Sequence, residues 1–312
     1  AKLKEKVEVV DGVSEVIWIN DALDISVPKE ILPDLVKNIF FSDNSTMMIV
    51  KLRDTDASES TEKAIEEIRK ITGKQAFLSG VAGVIKDTKD LADKETPIYV
   101  LIAVILSIIV LSLTMESFII PIIFMLSIGV AIIYNMGTNI VFGNISYITK
   151  ALSAVLQLGV TMDYSIFLWH SYQEQIERYD GDKKRAMAHA ISHTIVSVTG
   201  SSVTTVAGFI ALCFMSFTLG LDLGIVMAKG VIIGVIGCVT ILPALILACD
   251  KAIEKTKHRV LMPDISKISG WVTKHFRLIA VLFVIILIPA LYGYTHTNVY
   301  YDLAGTMPDS AY

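Results

Sequence analysis

The chain has 312 residues, 53% of them apolar, and a mean hydropathy of +0.61. A soluble domain of ordinary size cannot bury that much apolar surface, so the bilayer is one of its solvents. The formal net charge is only −4, and the Lys and Arg residues gather in particular loops instead of one basic stripe, which argues against a nucleic-acid partner.

Residues 1–96 are charged and mixed, and they suit a small α+β domain. Glu15–Ile19 and Thr46–Leu52 are rich in β-branched residues and read as strands; Pro28–Phe41 and Ser58–Ile71 read as helices. In the second helix Ala64, Ile65, Ile68 and Ile71 recur at helical spacing and form one apolar face, with Ser58 or Ser60 able to cap its start. Gln75–Ser79 is expected to return as a strand, giving a β-α-β unit. The chain opens at Ala1 inside a charged stretch that reads as the middle of a helix, without a signal peptide, so a longer parent is expected.

From Pro97 the character changes. Six apolar runs, at about 97–115, 118–136, 149–170, 194–216, 223–248 and 278–294, are each long enough to cross roughly 30 Å of hydrocarbon. The fold class expected is therefore a membrane α-helical bundle of about six transmembrane helices, preceded by an extracytoplasmic α+β domain. Cys213, Cys238 and Cys249 lie in or beside these runs, so they suggest neither a disulfide framework nor a zinc site and read as small packing residues.

Orientation follows from the loops. The connection 172–192 carries Arg178, Lys183, Lys184 and Arg185, and 249–277 carries seven further Lys and Arg residues, whereas 137–148 and 217–222 carry none. The basic loops belong on the cytoplasmic side, which sets residues 1–96 outside.

Only Asp163 and Lys229 are charged deep within a run. A carboxylate at mid-membrane costs about 2.5–3.5 kcal/mol on insertion scales. Desolvation favours its neutral form, which suits a group that loads and unloads a proton. Tyr164 adds a hydroxyl able to pass on or steady that proton. Lys229 has two routes: a salt bridge to Asp163, or snorkelling of its stem toward the outer face. In the fourth run, Gly200-Ser-Ser-Val-Thr-Thr-Val-Ala-Gly208 supplies small residues for close helix approach. Ser201, Ser202, Thr204 and Thr205 serve either packing or a polar relay beside Asp163. His189 and His193 share an i, i+4 face, but Ala190 stands where a zincin motif needs Glu. No Walker A loop, dinucleotide fingerprint or Gly-x-Ser-x-Gly elbow is present, so no metal, cofactor or enzymatic activity is expected.

With Gly159-x-x-x-Asp163-Tyr164 in place, the chain resembles the MMPL (mycobacterial membrane protein large) family of the resistance-nodulation-division transporters. The likeness continues through Asp182-Lys-Lys-Arg-Ala186, the Ser/Thr-rich run ending in Ala207-Gly-Phe209, and Leu242-Pro-Ala-Leu245. The resemblance implies two similar halves, each with one helix, an outer porter domain and five more helices, exporting lipids or drugs on the proton gradient. It makes residues 1–96 an incomplete porter-like domain and 97–248 a five-helix block. Residues 249–277 become a cytoplasmic linker, 278–294 the first helix of the second half, and 295–312 the start of a second outer domain. Asp163 and Tyr164 become half of a proton relay, Gly159, Gly200 and Gly208 helix-packing positions, and the absent second half a partner alongside protons, membrane lipids and a hydrophobic substrate. The implied location is a bacterial plasma membrane; assembly into an oligomer and substrate identity stay open. A different function remains open beside export: residues 97–248 also resemble a sterol-sensing arrangement, which responds to lipid without pumping.

Overall fold

The computed structural model describes residues 2–22, 40–42, 45–143, 145–260 and 266–297. The helix expected over Pro28–Phe41 falls outside the described residues, save its last two positions, and so does the segment from Asn298 onward. The chain divides into two compact units, one reaching to Leu91 and one running from Ala92.

In the first unit, α1 (Lys2–Glu8) leads to β1 (Val13–Ile17), a short α2 (Ile19–Ala22), the two-residue strands β2 (Phe41–Ser42) and β3 (Ser45–Thr46), then β4 (Ile49–Leu52) and α3 (Glu59–Thr72). Strand β1 pairs antiparallel with β4, setting Glu15 opposite Lys51 and Val16 opposite Val50, an arrangement of opposite charges and β-branched residues that favours this register. The Ser58 side chain accepts a hydrogen bond from the Thr61 amide and starts α3. One face of α3 then buries Ala64 and Ile68 against Val7, Val10, Val13 and Val16. Gly12 lies between the two layers at φ +92, where a Cβ would come within 3.2 Å of the Ser60 carbonyl, so only glycine fits the turn into β1. The strand expected over Gln75–Ser79 is not formed. Gly73–Gln75 is a turn of 3-10 helix and residues 76–79 form no strand, so the observed order is β-β-α and no β-α-β crossover exists among the described residues. β propensity alone does not make a strand; packing and cross-strand context decide.

Each apolar run falls largely within a long helix, the fourth overrunning its helix by four residues: α4 (Val81–Thr114), α5 (Ile119–Gly137), α6 (Tyr147–Arg178), α7 (Lys183–Leu212), α8 (Thr218–Ala248) and, after the short α9 (Asp250–Lys255) and α10 (Ser266–Lys274), α11 (Phe276–His296). Among the described residues six helices are long and apolar enough to cross a membrane. Most extend past the apolar run, because a helix does not end where the hydrocarbon does. The charged start of α4, for example, faces α3, with Arg69 to Asp87 in a two-pronged ion pair of 2.5 and 2.7 Å and Lys89 to Glu62 at 2.6 Å.

Helices α5 to α8 pack on one another around Phe124, Leu168, Val198 and Leu242. In contrast, the apolar part of α4 buries only Leu111, and α11 buries nothing. At the end of this block that carries the basic loops, α9 and the residues after it fold back beneath the α4–α5 turn. The Ser117 and Thr256 hydroxyls lie 2.6 Å apart, and the His258 amide donates to the Glu116 carbonyl at 2.8 Å. Lys183 at the start of α7 bridges to both Asp250 and Glu254 of α9.

Candidate functional site

Helix α6 carries the Asp163–Tyr164 pair, and successive residues on a helix leave it about 100° apart. The consequence is a division of labour. Asp163 lies on the exposed face of α6 with Gly159, Phe167 and His170, one to two turns away on either side. Tyr164, by contrast, is 4% exposed and belongs to the core of the block. The Asp163 carboxylate has no hydrogen-bond or ion-pair partner among the described residues. Behind it, the Cys238 thiol of α8 donates to the Tyr164 carbonyl at 3.3 Å, so the backbone at this point is pinned from the core side.

The hydroxyls of α7 are occupied within their own helix. Ser201 and Ser202 both donate to the Val198 carbonyl, at 3.0 and 2.6 Å, and Thr204 and Thr205 both donate to the Ser201 carbonyl, at 2.7 and 3.0 Å. None of them bonds Asp163. Ser202 is buried, whereas Gly200, Ser201, Thr204 and Gly208 form an exposed stripe. A Cβ added at Gly159, Gly200 or Gly208 would meet no atom within 4 Å. Among the described residues, then, nothing packs closely on these three glycines.

Close packing on glycine occurs on α8. A Cβ at Gly224 would lie 2.6 Å from the Phe209 carbonyl, one at Gly230 2.6 Å from the Asn135 amide nitrogen, and one at Gly234 2.8 Å from the Thr161 hydroxyl. Through the gap at Gly230, three helices exchange hydrogen bonds at membrane depth. Asn135 of α5 donates to Gln157 of α6 at 2.8 Å, and Gln157 donates in turn to the Gly230 carbonyl of α8 at 3.2 Å. Asn135 and Gln157 are both fully buried.

Lys229 belongs to this cluster. Its ammonium group donates to the Asn135 carbonyl at 2.9 Å and to the Asn139 side chain, and it stands 5.2 Å from the centroid of the Phe142 ring. The charge thus sits against a last-turn carbonyl of α5, where the helix dipole is negative. No bridge to Asp163 forms among the described residues: the Lys229 stem reaches the C-terminal end of α5, where a backbone carbonyl, the Asn139 side chain and an aromatic face hold the cation. Sequence reasoning passed over Asn135, Gln157 and Asn139, although two amides inside otherwise apolar runs, and glycines at 220, 224, 230, 234 and 237 on one helix, were the signal. Among the described residues no group of three or more His, Cys, Asp or Glu side chains converges as a metal site would.

Comparison with known proteins gives a consistent picture. The profile described as the MMPL family matches residues 4–280. A Streptomyces coelicolor protein named as a membrane protein, SCO5905, is 25% identical over 232 residues, covering 71% of this chain and 27% of the relative. Membrane protein MJ1562 of Methanocaldococcus jannaschii is 25% identical over 292 residues, 86% of this chain and 73% of the relative. The siderophore exporter MmpL5 of Mycobacterium tuberculosis is 23% identical over 222 residues, 69% of this chain and 22% of its own length. The chain therefore spans about a quarter of the length of the Streptomyces and Mycobacterium relatives and about three quarters of the archaeal one. With six apolar spans and these relatives, it is a multi-pass membrane protein.

Proposed function

This chain belongs to the MMPL family, and from that premise we propose that it forms one repeat of a secondary active transporter that uses the proton gradient to export a lipid or an amphiphilic, drug-like substrate. The observation that carries this reading is the lone Asp163 carboxylate on the exposed face of α6, one turn from the open Gly159. An ionisable group at that depth needs a partner or water, and a second repeat packed on this face would supply both. The exposed small-residue stripe of α7 suits the same neighbour, since bare backbone allows close approach. In this scheme Asp163 takes up and releases the proton while Tyr164 steadies it from the core side, and the helices shift in response. One proton moving down 100 mV yields about 2.3 kcal/mol, enough to bias such a shift.

The proposed layout puts residues 1–96 outside the plasma membrane as a porter-like domain, 97–248 in the bilayer as the proton-coupling block, and 249–277 in the cytoplasm. Residues 278–294 then open the second repeat and 295–312 a second outer domain. One relative carries the name siderophore exporter, which supports an export role.

One observation favours lipid sensing as a second reading. An apolar groove of about 410 Å³ runs along the outside of α7 and α8, lined by residues such as Val203, Ile210, Ile232 and Ile236, a size and lining that suit an acyl chain or sterol. Substrate-stimulated proton flux by the intact parent protein in liposomes decides between the two. Loss of flux in a folded Asp163→Asn variant supports export; flux that persists, or a lipid response that survives the substitution, removes the proton relay.

A further inference from the structure

Helix α10 meets the span α11 through a single residue, His275. Its φ of −112 and ψ of 25 lie outside the α-helical range, so one helix axis does not run through both. The 21 residues of α11 rise about 31 Å, the thickness of the hydrocarbon layer. None of them is buried. Because α11 takes up the whole crossing, α10, one residue before it, is held at the bilayer surface.

The side chains of α10 suit that place. Ile268, Trp271 and Val272 share an arc of about 100° and are 62%, 55% and 41% exposed. The Trp271 ring rests beside that of His275, with 5.3 Å between centroids, which carries the face up to the joint. Tryptophan is at home where hydrocarbon meets headgroups. From Ile265 to Thr297 the sequence holds no Asp or Glu, whereas Lys267, Lys274 and Arg277 fall there. Lys274 and Arg277 stand exposed on either side of the joint, and neither has an ion-pair partner among the described residues. The Arg277 guanidinium lies 5.5 Å from the centroid of the Phe276 ring. Several basic side chains of the other connections are, by contrast, paired: Lys183 with Asp250 and Glu254, and Arg178 with Glu174 at 2.7 Å. An exposed apolar face beside unpaired cations complements an apolar medium under a negatively charged layer, which a bilayer containing anionic lipids provides.

We propose that α10 lies on the membrane as a docking surface for anionic phospholipid, with Ile268, Trp271 and Val272 at the boundary between headgroups and acyl chains and with Lys274 and Arg277 on the lipid phosphates. Net charge makes the selection. A zwitterionic headgroup offers the same phosphate but brings its own ammonium, which repels the two cations. The surface uses none of the residues of the Asp163 face and stands whether or not the chain transports.

Quenching of tryptophan fluorescence in the full-length protein tests this, in vesicles of mixed phosphatidylcholine and phosphatidylglycerol where an equal mole fraction of one lipid or the other carries bromine on its acyl chains. The signal of the wild type minus that of Trp271→Phe isolates Trp271. Brominated phosphatidylglycerol is expected to quench that component about threefold more than brominated phosphatidylcholine does. The preference should vanish at high salt and in the double variant Lys274→Gln, Arg277→Gln, while quenching by brominated phosphatidylcholine persists. The charge-conserving pair Lys274→Arg, Arg277→Lys should keep the preference. No quenching by either lipid would show that protein, from a second copy or another part of the chain, covers the face. Equal quenching by both would show an apolar contact without selection by charge, and a preference that survives loss of both cations would place the recognition elsewhere. Each of these three results overturns the proposal.

Discussion

Gly230 and Gly159 are both helical glycines in apolar spans, yet their surroundings give them opposite mutational outcomes. At Gly230 a Cβ would collide with the buried Asn135–Gln157 pair; at Gly159 it would meet nothing. Gly230→Ala is therefore expected to cost about 2 kcal/mol, through overpacking and a broken amide pair. Gly159→Ala should change stability by less than about 0.5 kcal/mol. Thermal unfolding of the two variants in the same detergent measures both, and equal effects would mean that the three-helix amide cluster is not holding the block together. The contrast also marks the limit of reading by motif. Asp163 was legible because a lone carboxylate in an apolar run stands out whatever surrounds it. The roles of Lys229, Asn135 and Gln157 were not, because hydrogen-bond partners 22 and 94 residues apart are fixed by which faces of α5, α6 and α8 meet. Glycine alone cannot announce whether it is crowded or bare.

At the scale of elements, periodicity carried the long helices and α3, whose buried face matches the spacing of Ala64, Ile65 and Ile68. It failed for the short strands of the first unit, where β2 and β3 have two residues each and pairing decides everything. The same unit depends on polar ties between elements that no pattern reveals. Asp21 of α2 accepts from the Lys4 ammonium of α1 and from the Trp18 amide at 2.8 Å. These bonds, the Lys4 one foremost, hold its carboxyl below the usual carboxylate range. A group depressed on folding contributes stability above its unfolded value, which is 3.8, and loses that contribution as pH falls through the lower folded value. Protection of the Trp18 amide, normalised for intrinsic exchange, should thus stay level from neutral pH down to about 4 and drop in more acid solution. In Asp21→Asn it should be lower throughout and flat with pH. A parallel pH response in both proteins would detach α2 from this ion pair.

For the molecule as a whole, the distribution of charge makes a claim about direction. With 172–192 and 249–277 carrying the basic residues and 137–148 and 217–222 carrying none, the first two segments are expected inside the cell. Protease added to right-side-out vesicles should leave 172–192 intact and cut it only after the membrane is opened. Cleavage from outside would invert the topology and, with it, the direction in which Asp163 could pass a proton.

The amide cluster has a further consequence in time, during synthesis. Asn135 and Gln157 emerge on consecutive helices and can enter the bilayer already paired, each shielding the other. The Gly230 carbonyl that completes the bond to Gln157 lies 73 residues later, about 4–15 s of translation at 5–20 residues per second. For that interval the α5–α6 hairpin waits in lipid with an unspent donor. The Asn135 carbonyl, likewise, waits as a ready-made harbour for the charge of Lys229. The order of birth of the helices thus matches the order in which their polar groups can be sheltered, so α8 arrives as the keystone of a half-built arch.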